Sequence, residues 1–143
     1  MSVLARVDPE YLPVINMVPL IDLNDIAAAR AALQAVFAMA GRAEPHPEVD
    51  RTDLAIPNAP GAPQAQIRVF RPRNAAGILP GLIWIQGGGY VLTSANPDDQ
   101  GCEQIAHELQ CVVASVLWRR APEHPFPAAH DDCFAALLWM IGN

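Results

Sequence analysis

The sequence predicts an α/β fold, a mostly parallel sheet with helices on its faces. Two short, continuously apolar runs, residues 82–85 and 111–117, read as strands covered on both sides. Each is followed by a segment with apolar residues at helical spacing, 97–109 and 129–141. Strand, helix, strand, helix in that order places helices against a parallel sheet. With 143 residues, 52% of them hydrophobic and 17% charged, the chain can build one core and lacks the composition of a disordered segment.

Taken in order, residues 25–40 form an amphipathic helix with Ile26, Leu33, Val36, Phe37 and Ala40 near helical spacing. Asn24 is its N-cap and Gly41 its left-handed stop. Upstream, "DPEYLPVINMVP" is broken by prolines and suits a short helix or turn. Residues 42–63 are proline-rich and end in "PNAPGAP"; they read as loop, with one short strand at 53–56. Residues 66–71 alternate polar and apolar, a half-buried strand that Pro72 ends. After the turn "RNAAGILPG" comes the 82–85 strand, then the 97–109 helix. Asn96 caps that helix, and Cys102, Ile105, Ala106 and Leu109 share one face. The 111–117 strand leads into the proline-stiffened "RRAPEHPFPA". The last helix, 129–141, presents Cys133, Phe134, Leu137, Leu138 and Ile141 as its apolar face.

Net charge is −6 with no clustered basic face, which argues against nucleic acid or an anionic membrane as partner. No apolar run has the length of a membrane span. The start, "MSVLARVDPEYLP", has no basic segment followed by an apolar one, so a cytoplasmic location is expected. Cys102, Cys111 and Cys133 form neither a paired framework nor a metal-binding spacing; they are expected as reduced thiols. Cys102 and His107 fall on different faces of their helix, so no metal and no cofactor is called for.

The stretch "WIQGGGY", residues 84–90, sits at the carboxyl end of a predicted strand, where such sheets gather ligands. Three uses for its glycines compete. A phosphate loop would need G-x-G-x-x-G spacing or a following Lys-Ser or Lys-Thr, and neither is present. A plain tight turn leaves two of the three glycines unexplained. An oxyanion hole, in which backbone N–H groups aim at charge developing on a tetrahedral intermediate, requires bare backbone.

The second stretch favours the last use. The sequence resembles the hormone-sensitive-lipase-like esterases of the α/β-hydrolase fold, which carry H-G-G-G-[FY] after the third strand. One helix and one strand later they carry D-Y-R-L-A-P-E-x-x-[FY]-P-A. This chain has "QGGGY" at 86–90 and "LWRRAPEHPFPA" at 117–128, in the same order. The resemblance runs from about Asp53 to the C-terminus. It implies a cap-like helical segment at 1–45 and the N-terminal half of an α/β-hydrolase domain at 46–143, a partial fold whose C-terminal half is missing.

It further implies carboxylic-ester hydrolysis through a serine acyl-enzyme, on a small acyl ester and without a cofactor. The amides of Gly88 and Gly89 would form the oxyanion hole, with Gly87 permitting the turn and Tyr90 lining the substrate pocket. Gln86, Arg119, Pro122 and Glu123 are structural on this reading, with Arg119 and Glu123 paired locally. Asp131 and Asp132 suit the start of the last helix.

Several positions depart from that pattern. Gln86 replaces a histidine, Leu117-Trp118-Arg119-Arg120 stands where D-Y-R-L is expected, and Thr93 replaces a glycine. The catalytic triad is absent: the reaction needs a serine on a G-x-S-x-G elbow, then an acid, then a histidine. The serines are Ser2, Ser94 and Ser115, and none has the elbow glycines. Ser94 lies near the glycine loop but has no evident histidine partner. His107, His124 and His130 read as solvent-facing or loop residues. The chain alone is therefore expected to be inactive. Its uncovered 82–85 edge is expected to self-associate, aggregate or pair with another chain. The alternative is a non-catalytic remnant or binding module that pairs through that edge.

Overall fold

The computed structural model describes residues 6–17, 21–39, 44–92 and 98–143. The chain divides into two compact units, Met1–Ala40 and Gly41–Asn143.

The first unit is helical. A 3-10 turn at Pro9–Tyr11 is capped by the Asp8 carboxylate, which accepts from the Glu10 amide at 3.0 Å, and α1 (Leu12–Met17) follows. The second helix, α2, spans Ile26–Met39. Its cap is Asp25 rather than Asn24: the Asp25 carboxylate accepts from the Ala28 amide at 2.9 Å. Asn24 instead belongs to a turn closed on the Asp22 carboxylate. A carboxylate two residues upstream gives Asn24 a competing local bond. The expected stop at Gly41 and the apolar position Ala40 lie outside the described residues.

The second unit is a four-stranded sheet between two helices. Its strands are β1 (Val49–Ile56), β2 (Ala65–Pro72), β3 (Gly81–Ile85) and β4 (Val112–Val116), in spatial order β1-β2-β4-β3. The sheet is mixed rather than mostly parallel. β3 and β4 pair parallel, with Leu82 opposite Val113 and Trp84 opposite Ser115, while β1–β2 and β2–β4 are antiparallel. The short β1–β2 connection leaves no room for the crossover helix that parallel neighbours need. Between β3 and β4 runs α3 (Asp99–Leu109), and α4 (Ala128–Gly142) follows β4.

Alternation along the strands splits the core in two. On one face Val49, Phe70 and Val113 pack with Cys102 and Ala106 of α3. On the other, Ile56, Ile67, Ala114 and Val116 pack with Ala129, Ala135 and Ala136 of α4. The expected helix faces need correcting. In α3 the buried residues are Cys102, Glu103 and Ala106, and Leu109 is exposed. In α4 the buried stripe is Ala128, Ala129, Asp132, Ala135 and Ala136, while Phe134, Leu137, Leu138 and Ile141 face outward. The α3 cap, Asn96, lies outside the described residues. Asp98 occupies the N-cap position and spends its carboxylate on the Trp84 indole N–H at 2.9 Å.

The proline-rich stretch holds a full strand, longer than the expected 53–56. Only the ends of β1 are buried, so its interior carries no hydrophobic period. Charge holds it instead. Arg68 on β2 grips the Asp53 carboxylate on β1 at 2.6 and 2.8 Å and Asp99 of α3 at 2.7 Å. The hydrogen bond from Arg68 holds the Asp53 carboxyl below its ordinary range.

Candidate functional site

β3 ends at Ile85, and the chain leaves the sheet through residues 86–90. Gln86 is buried. Its side-chain Nε2 donates to the Ser115 hydroxyl on β4 at 3.3 Å, and its main-chain carbonyl accepts from the Trp118 indole N–H at 3.2 Å. Both Gln86 and Trp118 depart from the family motif, and together they tie the base of the glycine loop to β4 and its extension. Ser115 is buried in this arrangement.

The left-handed conformation falls on Gly88 (φ 137°), Gly89 (φ 56°) and Tyr90 (φ 64°) rather than on Gly87. A Cβ clashes there in L-residues, so two of the three glycines serve the turn directly. Among the described residues, and apart from its two chain neighbours, an added Cβ at Gly87 would meet no atom within 4 Å. The Gly88 carbonyl accepts from the amides of Val91 at 3.1 Å and Leu92 at 2.8 Å, which closes the loop. Among the described residues, nothing accepts a hydrogen bond from the N–H of Gly88 or Gly89.

The second motif is anchored by a buried carboxylate. Asp132, 1% exposed, takes the Arg119 guanidinium through Nε at 3.1 Å and Nη2 at 2.9 Å. It also accepts from the Arg119 amide at 2.8 Å and from the Asn58 side chain at 2.7 Å. This hydrogen bonding holds Arg119 above its ordinary basicity. Arg119 is thus engaged by Asp132, where the sequence suggested Glu123. Asp132 is a tertiary anchor rather than a charge placed for the helix dipole. Pro122, after a cis peptide bond, and Glu123 are exposed.

The two motifs meet. The Ala121 amide donates to the Tyr90 carbonyl at 3.0 Å. The Tyr90 ring lies 5.9 Å from that of Trp118 and 5.6 Å from that of His130, the latter at an interplanar angle of 13°. Phe126 meets His130 edge-on at 5.1 Å. Between the motifs is a pocket of about 300 Å³ lined by Tyr90, Arg119, Ala121, His124, Phe126, Ala129 and His130. His124 and His130 are exposed but also line this pocket. In the sequence Asp132 reads only as a carboxylate suited to a helix start, Phe126 only as the aromatic position of the second motif, and His130 as a solvent-facing or loop residue.

Burial raises all three thiols, that of Cys102 to about 12. No group of three or more potential metal ligands occurs among the described residues. Ser2, Thr93 and Ser94 lie outside them. No described helix is long and apolar enough to cross a membrane.

Residues 82–143 match a family of the alpha/beta hydrolase fold. The chain is 39% identical over 117 residues to a carboxylic ester hydrolase, LipN, of Mycobacterium tuberculosis, covering 81% of this chain and 30% of LipN. It is 33% identical over 153 residues to an AB hydrolase superfamily protein of Schizosaccharomyces pombe, covering 99% of this chain and 44% of that one. Among solved structures, a bacterial heroin esterase superposes with a TM-score of 0.88 at 37% identity, covering 99% of this chain and 44% of the esterase. The chain thus spans between 30% and 44% of the length of these proteins. Over the part it spans the chain has the α/β-hydrolase fold and is similar to the N-terminal portion of carboxylesterases, the resemblance that the two linked motifs imply.

Proposed function

We propose that this chain supplies the oxyanion-binding part of a serine ester hydrolase of the hormone-sensitive-lipase-like group. The observation that carries the reading is the glycine turn. It holds two adjacent amides, those of Gly88 and Gly89, at the carboxyl end of a parallel strand and gives neither an acceptor among the described residues. Preorganised N–H groups of this kind stabilise the negative oxygen of a tetrahedral intermediate, at about 3–4 kcal/mol per donor. Gln86 and Trp118 fix the loop from below, and the Arg119–Asp132 clamp fixes the neighbouring loop. The open space beside Gly87 suits the approach of an ester, which a side chain there would obstruct. The helical segment 1–45 acts as a cap on this reading.

The nucleophile, acid and base come from a G-x-S-x-G elbow and its partners, which these 143 residues do not contain. On its own the chain is inactive. The test is hydrolysis of a short-chain p-nitrophenyl ester by the chain alone and with a co-expressed polypeptide carrying the elbow, acid and histidine. Turnover is expected only with the complement, and Gly87→Val should lower it about a hundredfold without unfolding the chain. Turnover by the lone chain that Ser94→Ala abolishes would overturn the assignment.

A second reading has its own observation. β3 is an edge strand, and Ile85 at its end is 60% exposed. A free edge next to an exposed apolar helix face favours strand addition, so pairing with another polypeptide is the non-catalytic alternative. Binding of a partner with no gain of esterase activity would favour it.

A further inference from the structure

We propose that the pocket between the two motifs is a subsite for the aromatic ring of an aryl or arylalkyl ester; the proposal rests on the reading above for the ester, but not for the ring. Tyr90 and His130 form a near-parallel pair and Phe126 closes on His130 edge-on, so the walls already show both packing geometries that aromatic rings favour. Tyr90 is 56% exposed and Phe126 80% exposed, so a large part of each residue is open to a ligand. Ala121 and Ala129 add little bulk to the lining. A cavity of roughly 150 Å³ holds benzene, so about 300 Å³ takes a ring and its linkage.

Charge and strain agree with this choice. The guanidinium on the wall, Arg119, is already engaged by Asp132, so the pocket is poorly suited to an anionic ligand. Tyr90 holds φ 64°, a conformation glycine adopts freely and a tyrosine adopts at a cost. The residue with this backbone lines the pocket. Its ring is one residue from the Gly89 amide, so a ligand stacked on Tyr90 has its linkage beside the glycine turn.

The ring can belong to the alcohol or to the acyl side of the ester, and unreactive amides separate the two. Acetanilide carries the ring on the leaving-group side, N-ethylbenzamide on the acyl side, and N-cyclohexylacetamide is the saturated control. Saturation-transfer and chemical-shift NMR on the full chain should show at least one aryl amide binding about two- to tenfold tighter than the cyclohexyl compound. Shifts should centre on Tyr90, Phe126 and His130. Tyr90→Leu should bring the aryl-to-cyclohexyl ratio close to one. Phe126→Leu should lower it at a position exposed enough to leave the fold intact, which keeps the test valid if the Tyr90 variant unfolds. Equal affinities, no binding of any probe, or shifts mapping elsewhere would overturn the proposal. These readouts need no turnover, so a failed complementation assay and a failed ring subsite are separate results.

Discussion

Gly87 and Gly89, chemically identical and two positions apart, carry different requirements. Gly89 sits at φ 56°, so Gly89→Ala should destabilise the chain by about 1–2 kcal/mol in urea unfolding. Gly87 has open space around it and no left-handed backbone, so Gly87→Ala should stay within about 0.5 kcal/mol of the parent. Asp132 gives a larger expected effect. Asp132→Ala leaves Arg119 without its carboxylate and Asn58 with the Pro63 carbonyl alone, and stability in urea unfolding should fall by about 3–5 kcal/mol. The glycine triplet was legible because consecutive glycines at a strand end have few uses. Asp132 was not, because an acidic residue near a helix start already has a local explanation. Its partner Arg119 lies thirteen residues away, and only the packed fold brings the two together.

Among the elements, β3, β4 and α3 were readable from apolar runs and spacing, since both helix-covered strands need continuous hydrophobic residues. β1 was not, because an edge strand whose interior is solvated shows neither alternation nor an apolar run. α4 misled for a related reason. Its large side chains have a helical period, but its alanines are what let the helix approach the sheet. Ala136 is fully buried, so Ala136→Leu should overpack the core and cost about 1–3 kcal/mol by thermal or urea unfolding. Phe134, Leu137, Leu138 and Ile141 form the opposite, exposed stripe. Apolar patches of this kind drive association. Replacing Phe134 and Leu138 together by glutamate should shift sedimentation profiles toward monomer while changing stability by no more than about 0.5 kcal/mol per site.

For the whole molecule, the thiols set an alkaline limit. Cys102 is raised by burial from an ordinary value of 9.0 to about 12, so the folded state holds its proton more tightly than the unfolded chain does. Stability from this group is complete below 9.0 and declines as pH rises toward about 12. The urea midpoint should therefore fall over that interval, and Cys102→Ala should flatten the slope even though it lowers the plateau.

The strand order carries a consequence for how the chain comes together. β4 follows both β2 and β3 in sequence, yet it lies between them, and those two share no ladder. Until residue 116 has left the ribosome, β3 has no partner in the sheet, and the hairpin of β1 and β2 waits with its inner edge unfilled. Assembly is therefore gated by a late segment that arrives as a wedge. The glycine turn, although made early, acquires its shape only after Ser115 and Trp118 are in place beneath it.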